Sequence, residues 1–209
     1  MDTEDAIAII GIGGMFPGAK DVDEFWRLLK NGENHVNEIP KHRWDNDAYY
    51  DPDPNASGKL YITRAGLMDR HDEWDNRLFG ISDVESERID LQQRYTLECV
   101  HMALEDGGIT RLEINGSNTG VYMGCMNDDY KMALYDDFKV GKTNEKERDA
   151  NYTVTGMHSS IISARVSYVY NLHGPSMTID TACSSSLVAI HLGIQSIRSG
   201  INSIACVTQ

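Results

Sequence analysis

Ser176-Met177-Thr178-Ile179-Asp180-Thr181-Ala182-Cys183-Ser184-Ser185-Ser186-Leu187, continuing Val188-Ala189-Ile190-His191-Leu192-Gly193-Ile194-Gln195-Ser196-Ile197, holds three kinds of local structure in one run. Met177 to Ile179 is a short strand-like run, and Thr181 to Ser186 are all small. Leu187, Ile190, Ile194 and Ile197 then recur at spacings of three, four and three, the period of a helix face. The order is strand, tight turn, helix, with Cys183 at or just before the first helical turn. Unpaired backbone N–H groups and the positive end of the helix dipole favour an anion there. Thiols at helix N-termini ionise more readily than free cysteine, and the same N–H groups can hold a developing oxyanion. That suits acyl transfer through a thioester. A lone cysteine among small residues is more often a buried, inert filler, and spacing alone favours that reading.

Further out, Ala6-Ile7-Ala8-Ile9-Ile10 ends in Gly11-Ile12-Gly13-Gly14, the pattern of a strand buried on both faces. A glycine turn after a strand also opens dinucleotide-binding units. Here Phe16 stands at the third glycine position and no acidic residue is well placed on a second strand. The glycines therefore read as a place where backbone passes close to backbone. Asp21 to Leu29 predicts a short amphipathic helix, capped by Asp21 or Asp23, with Phe25, Leu28 and Leu29 on one face and Asn31-Gly32 as its stop. The stretch from Ile39 to Pro54, rich in Pro, Asp and aromatic residues, predicts a long ordered loop pinned to the body by Trp44 and its tyrosines.

Ser82 with Glu85 forms a capping box for a helix running to about Asp106, with Ile89, Leu97, Val100 and Leu104 on one side and Gly107-Gly108 at its end. Gln92, Gln93 and Arg94 read as structural, satisfying buried polar groups. Thr119 to Gly124 predicts a strand, Ser159 to Tyr170 a helix, and Ile204 to Val207 a closing buried strand. Buried strands separated by helices give a layered α/β domain.

The 209 residues are 41% hydrophobic and 24% charged, ordinary for a globular chain. Lys and Arg total 19 against 32 Asp and Glu, so the net charge of −13 argues against a binder of nucleic-acid backbone. No apolar run approaches the roughly 18 residues of a membrane span, and the acidic N-terminus is unlike a secretory signal. The four cysteines, Cys99, Cys125, Cys183 and Cys206, form no CxxC pair, so neither a disulfide framework nor a zinc site is expected. These features predict a cytoplasmic protein without a membrane segment. Asp128-Asp129 and Asp136-Asp137 read as solvated loop. None of the seven histidines pairs with another at metal-binding helical spacing. His158 and His173 are the two weighed as bases for Cys183, and His191 is expected to face the sheet or a subunit neighbour.

Asp180-Thr181-Ala182-Cys183-Ser184-Ser185-Ser186-Leu187, introduced by His173-Gly174-Pro175-Ser176, resembles the nucleophile motif of the β-ketoacyl synthases. The likeness is greatest to ketosynthase domains of modular polyketide synthases and animal-type fatty acid synthases. It covers residues 5 to 209. Phe16-Pro17-Gly18-Ala19 matches the domain's opening, Arg43-Trp44 and Tyr50-Asp51-Pro52 match a loop of the modular enzymes, and Arg165-Val166-Ser167-Tyr168 resembles the family's Arg-Ile-Ser-Tyr. Gly14-Met15 stands where Cys-Arg is usual, Asp83 and Leu91 where proline is usual, and His173 where arginine is common.

The resemblance implies a thiolase-like fold, two similar halves stacked as α-β-α-β-α layers, with residues 5 to 209 as the N-terminal half. It makes Cys183 the acyl-accepting nucleophile. The family's two catalytic histidines and buried lysine belong to a second half, so the chain is expected to be a fragment unable to condense substrates alone. The implied partners are an acyl carrier protein, whose phosphopantetheine carries the substrate, and a second copy in a homodimer. No directly bound cofactor or metal is implied. Two other readings stand beside it: a coenzyme A-using acyltransferase of the thiolase superfamily, and a non-catalytic half-domain kept as a scaffold or dimerisation remnant.

Overall fold

The computed structural model describes residues 6–133 and 147–208, with side chains for 6–133 and 152–207. Two compact units divide the chain, Gly14–Asp72 and the combination of Met1–Gly13 with Glu73–Gln209.

In Gly14–Asp72, extended Asp21 accepts from the Glu24 N–H at 2.8 Å and so starts helix α1 (Val22–Asn31). Gly32, in the left-handed conformation, closes the helix. Leu28 is buried and Phe25 stacks on Phe16 at 3.9 Å between ring centroids, but Leu29 of the expected face is exposed. The predicted loop region carries more order than its pattern shows. Strand β1 (Val36–Glu38) pairs antiparallel across it with β2 (Arg64–Gly66), and a single turn, α2 (Asn46–Tyr49), lies between them. Three-residue strands are too short to show a period of two. Trp44, Tyr49 and Tyr50 stay exposed rather than pinning the loop. Trp44 instead donates to Asn46 and lies against Tyr49.

The other unit contains, in chain order, α3 (Asp83–Ser86), α4 (Leu91–Asp106), α5 (Arg111–Ile114), β3 (Gly120–Gly124), α6 (Glu147–Met157), α7 (Ser160–Tyr170), β4 (Ser176–Ile179), α8 (Ser185–Arg198) and β5 (Ala205–Thr208). Its sheet is parallel in the order β4-β3-β5, and β3 is buried along its whole length. Alternate β3 residues serve opposite faces. Val121 and Met123 join a core with Leu97, Val100 and Leu104 of α4 and Ile162, Val166 and Val169 of α7. Tyr122 and Gly124 meet α8. Helices therefore cover β3 on both sides, as parallel strands require.

Three expectations for elements of this unit need correction. The single helix from Ser82 to Asp106 is two helices. Ser82 caps only α3, and Asp90 restarts the chain as the cap of α4 by accepting from the Gln92 N–H at 2.9 Å. The break seats Ile89 fully inside the core. Ala6–Ile10 is not a buried strand: it has no strand pairing, and Ile9 and Ile10 are 82% and 55% exposed. Its glycines do mark close backbone approach, because a Cβ on Gly11 would lie 2.1 Å from the Ala103 carbonyl oxygen. The third correction concerns α8. Leu187 and Ile190 of the predicted apolar face are exposed, while Ser185, Ala189, Gly193 and Ser196 form the buried stripe. Close approach to the sheet selects small residues, as shown by a Gly193 Cβ falling 3.0 Å from Val207 and 3.3 Å from Ala205. Asp136 and Asp137 lie outside the described residues.

Burial holds the Asp90 carboxyl above the usual aspartate range, against the Gln92 hydrogen bonds that pull it down. A carboxyl raised in the folded state adds stability while protonated and loses it as pH rises through that value. Asp90→Asn keeps a capping oxygen and removes the charge. Thermal melts are expected to show it more stable than the parent near about pH 7, with the advantage gone by about pH 4.

Candidate active site

The turn between β4 and α8 is tied by its own side chains. Asp180 Oδ1 accepts from the Ala182 N–H at 2.9 Å. Ser184 Oγ donates to the Thr181 carbonyl at 2.8 Å and lies 2.9 Å from Thr181 Oγ1. Ser185 Oγ accepts from the Thr181 N–H at 2.9 Å and donates to the Ala182 carbonyl at 2.7 Å. Within this frame Ala182 adopts φ +55, a left-handed conformation disfavoured for a residue with a side chain. Cys183 follows, exposed, and none of these bonds uses its thiol. Ser184 occupies the N-cap position of α8 without capping it, because its hydroxyl is turned back into the turn. Ser184 thus leaves the start of α8 without a side-chain cap beside an exposed sulfur, although the Ser185 N–H donates to the Ala182 carbonyl at 3.1 Å.

All four cysteines are free, and their surroundings separate them. Burial pushes the Cys206 thiol up to about 11 and raises that of Cys125, which donates to Gln92 Oε1 at 3.0 Å. Cys99 is half-buried. Cys183 is the exposed thiol of the four. The histidines do not complete a pair with it among the bonds described. His173 is exposed and bonded to Asn171 at 3.1 Å, His158 is half-buried, and His191 is exposed rather than turned to the sheet. Among the described residues, no group of three or more His, Cys, Asp or Glu side chains is placed to hold a metal.

Two supports of the turn carry no recognisable signal in the sequence. Gly124, ending β3, lies against the start of α8, where an added Cβ would sit 3.0 Å from the Ser185 carbonyl carbon, Ser185 Cβ and Ser186 N. On the other side of the sheet, Thr178 Oγ1 of β4 donates to Ser163 Oγ of α7 at 3.1 Å. That helix is held in turn by buried Arg165, whose Nε donates to Gln93 Oε1 at 2.6 Å and whose Nη1 pairs with Glu85 at 2.7 Å. Gln93 donates to the carbonyls of Thr155 and Gly156, while Arg94 donates to those of Ile89 and Ser86. The structural reading of Gln92, Gln93 and Arg94 agrees with this network.

A cavity of about 150 Å³ opens beside Gly124, bounded by Cys125, Gln92 and Ile162. A larger one, about 400 Å³, lies at Arg111 and Tyr170. Its guanidinium is committed to structure, sitting 5.6 Å from the Tyr170 ring centroid and donating to the Val169 carbonyl. The smaller cavity is the one that adjoins the cysteine turn's support.

Comparison with known proteins agrees with this geometry. Residues 4–208 match the family described as "Beta-ketoacyl synthase, N-terminal domain". Polyketide synthase PksL of Bacillus subtilis is 41% identical over 206 residues, covering 95% of this chain and 4% of that protein. Pikromycin polyketide synthase component PikAII of Streptomyces venezuelae is 40% identical over 199 residues, covering 94% of this chain and 5% of that protein. Among solved structures, the oxazolomycin ketosynthase domain OzmH KS7 of Streptomyces albus superposes with a TM-score of 0.82 at 37% identity, covering 92% of this chain and 32% of that one. The ketosynthase from module 6 of the bacillaene synthase of Bacillus subtilis gives 0.78 at 35% identity, covering 96% and 30%. The chain thus spans a small part of its curated relatives and about a third of the solved ketosynthase chains. It belongs to the β-ketoacyl synthase family, with the thiolase-like α/β fold of polyketide synthase ketosynthase domains.

Proposed function

We propose that this chain supplies the acyl-accepting thiol of a ketosynthase, and that Cys183 is that thiol. The observation carrying the reading is the exposed sulfur on a self-bonded turn, next to helical N–H groups that no side chain caps. The Cys183 thiolate attacks the thioester carbonyl of an acyl-phosphopantetheine, forming a new carbon–sulfur bond. Charge moves to the carbonyl oxygen, where backbone N–H groups stabilise it. The intermediate collapses by breaking the old carbon–sulfur bond, and the pantetheine thiol leaves with the proton that Cys183 released. In the complete ketosynthase a malonyl unit on a carrier protein then loses carbon dioxide, and its carbanion attacks the Cys183 thioester, breaking the bond to sulfur so that the thiolate leaves and a β-ketoacyl product stays on the carrier.

Decarboxylation and carbon–carbon bond formation need acid–base groups, each contributing about 10² to 10⁴ in rate. No histidine among the described residues is bonded to Cys183, so condensation by these residues alone is expected to be absent. The substrate donor is an acyl carrier protein. A second copy of the domain is the other partner proposed: β4 is an edge strand of the sheet, with Ser176 and Met177 exposed, and an open edge is a natural seam for pairing.

Incubating the chain with an acyl-pantetheine thioester and measuring intact mass tests the assignment. One acyl group is expected on the parent and none on Cys183→Ala. An unmodified parent, or an alanine variant that still gains the acyl mass, overturns it.

A further inference from the structure

We propose that Ser185 is a positioning residue for Cys183, its buried hydroxyl locking Ala182 in the left-handed conformation that presents the cysteine. The bearing of this on acyl transfer rests on the function proposed above. Ser185 is fully buried, at 0% exposure, two residues after an exposed cysteine. Its hydroxyl spans the strained residue, accepting from the Thr181 N–H on one side and donating to the Ala182 carbonyl on the other. Those two atoms bracket the φ and ψ of both Thr181 and Ala182, so one side chain fixes both. The other polar side chains of the turn reach less far. Asp180 bonds the Ala182 N–H, and Ser184 bonds Thr181 alone. Neither holds the far end of Ala182.

Ser185 is itself immobilised by the sheet. The bare α-carbon of Gly124 lets the Ser185 backbone and Cβ settle against β3, where an added Cβ would come within 3.0 Å. The path runs from β3 through Ser185 and Ala182 to the sulfur. Glycine takes the left-handed conformation at little steric cost, so a glycine at 182 makes the serine lock partly redundant.

The test is the rate of iodoacetamide alkylation at each cysteine of the full chain, followed by peptide mass spectrometry. Ser185→Ala is expected to slow Cys183 alkylation by about tenfold, the population cost of a left-handed alanine held only by the Asp180 side chain and the Ser185 backbone N–H. Cys125, buried, and Cys206, partly buried against the core with its thiol pushed up, are expected to keep their parental rates. Adding Ala182→Gly is expected to restore Cys183 to within about threefold of the parent. An unchanged Cys183 rate in Ser185→Ala overturns the proposal. Faster alkylation of Cys125 and Cys206 without rescue by Ala182→Gly also overturns it, because that marks general loosening.

Should Ser185→Ala fail to fold, Ala182→Val changes an exposed residue and leaves the lock intact. A β-branched residue resists the left-handed region, so slowed Cys183 alkylation is expected, and an unchanged rate overturns the proposal. Acyl uptake measured on the same variants separates the two claims. A parent that alkylates in this pattern but takes no acyl group fails the proposed function and leaves the Ser185 role standing. A parent that takes the acyl group, with Ser185→Ala equal to it in both assays, fails the Ser185 role alone.

Discussion

Gly124→Val is expected to abolish acyl uptake at Cys183 and to destabilise the fold by about 1–3 kcal/mol, the usual cost of overpacking a filled site. A single added carbon at this position already lies 3.0 Å from backbone atoms of Ser185 and Ser186, and valine adds two more. The obstructed atoms are main chain at a helix start, so no rotamer change relieves the contact. Either α8 moves away from β3, carrying Cys183 with it, or the strand end distorts. Gly124→Ala is expected to fall between parent and valine. Acyl uptake by intact mass, beside a urea midpoint for each variant, checks both effects. A valine variant with parental uptake would show that the seat of α8 on β3 does not control the cysteine.

Arg165→Ala is expected to have the largest effect on stability, about 3–5 kcal/mol, as for breaking a buried ion pair from one side. Arg165 is 8% exposed, and its guanidinium serves Gln93 and Glu85 at 2.6 and 2.7 Å. Removal leaves the buried Gln93 carbonyl oxygen without its Arg165 donor, where an unmet polar group is costly, and takes the ion-pair partner from half-buried Glu85. Lysine does not substitute, because a point charge on a flexible stem cannot reproduce the planar fork. Replacing both charges, as in Arg165→Met with Glu85→Leu, is expected to recover much of the loss. Urea unfolding checks this, provided the slope with denaturant stays constant across the set.

Much of the fold was legible from local signals that physics makes strong. The Asp21 cap, the strand at Met177 to Ile179, the helix from Ser160 and the one after Cys183 all follow from caps, small-residue turns and apolar spacing. Apart from the three-residue strands β1 and β2, too short to show a period, the misreadings share one cause, the context supplied by other parts of the chain. An apolar period locates a helix but does not say which face is covered, and α8 turns its small residues inward because β3 and β5 approach so closely. Ser82 was a true helix start, although Glu85 pairs with Arg165 instead of closing the expected capping box, and only tertiary packing of Ile89 shows that the helix stops and restarts. At the candidate site, Cys183, the thiol proposed as nucleophile, was singled out by its motif. Ser185 and Gly124 were hidden because a serine in a run of serines and a glycine ending a strand have many ordinary uses. Only the bonds of Ser185 to Thr181 and Ala182, and its close approach to Gly124, single them out.

The segment Ala6–Gly13 joins two opposed surfaces in one short ribbon. Gly11 and Gly13 lie flush against α4, and the Ile12 N–H is anchored to Asp106 at 2.8 Å, while Ile9, Ile10 and Ile12 point away from the body. An aliphatic ridge on a glycine footing has little reason to stay wet. A chaperone that selects extended aliphatic peptides would find its ligand displayed there, and an environment-sensitive dye would brighten against it.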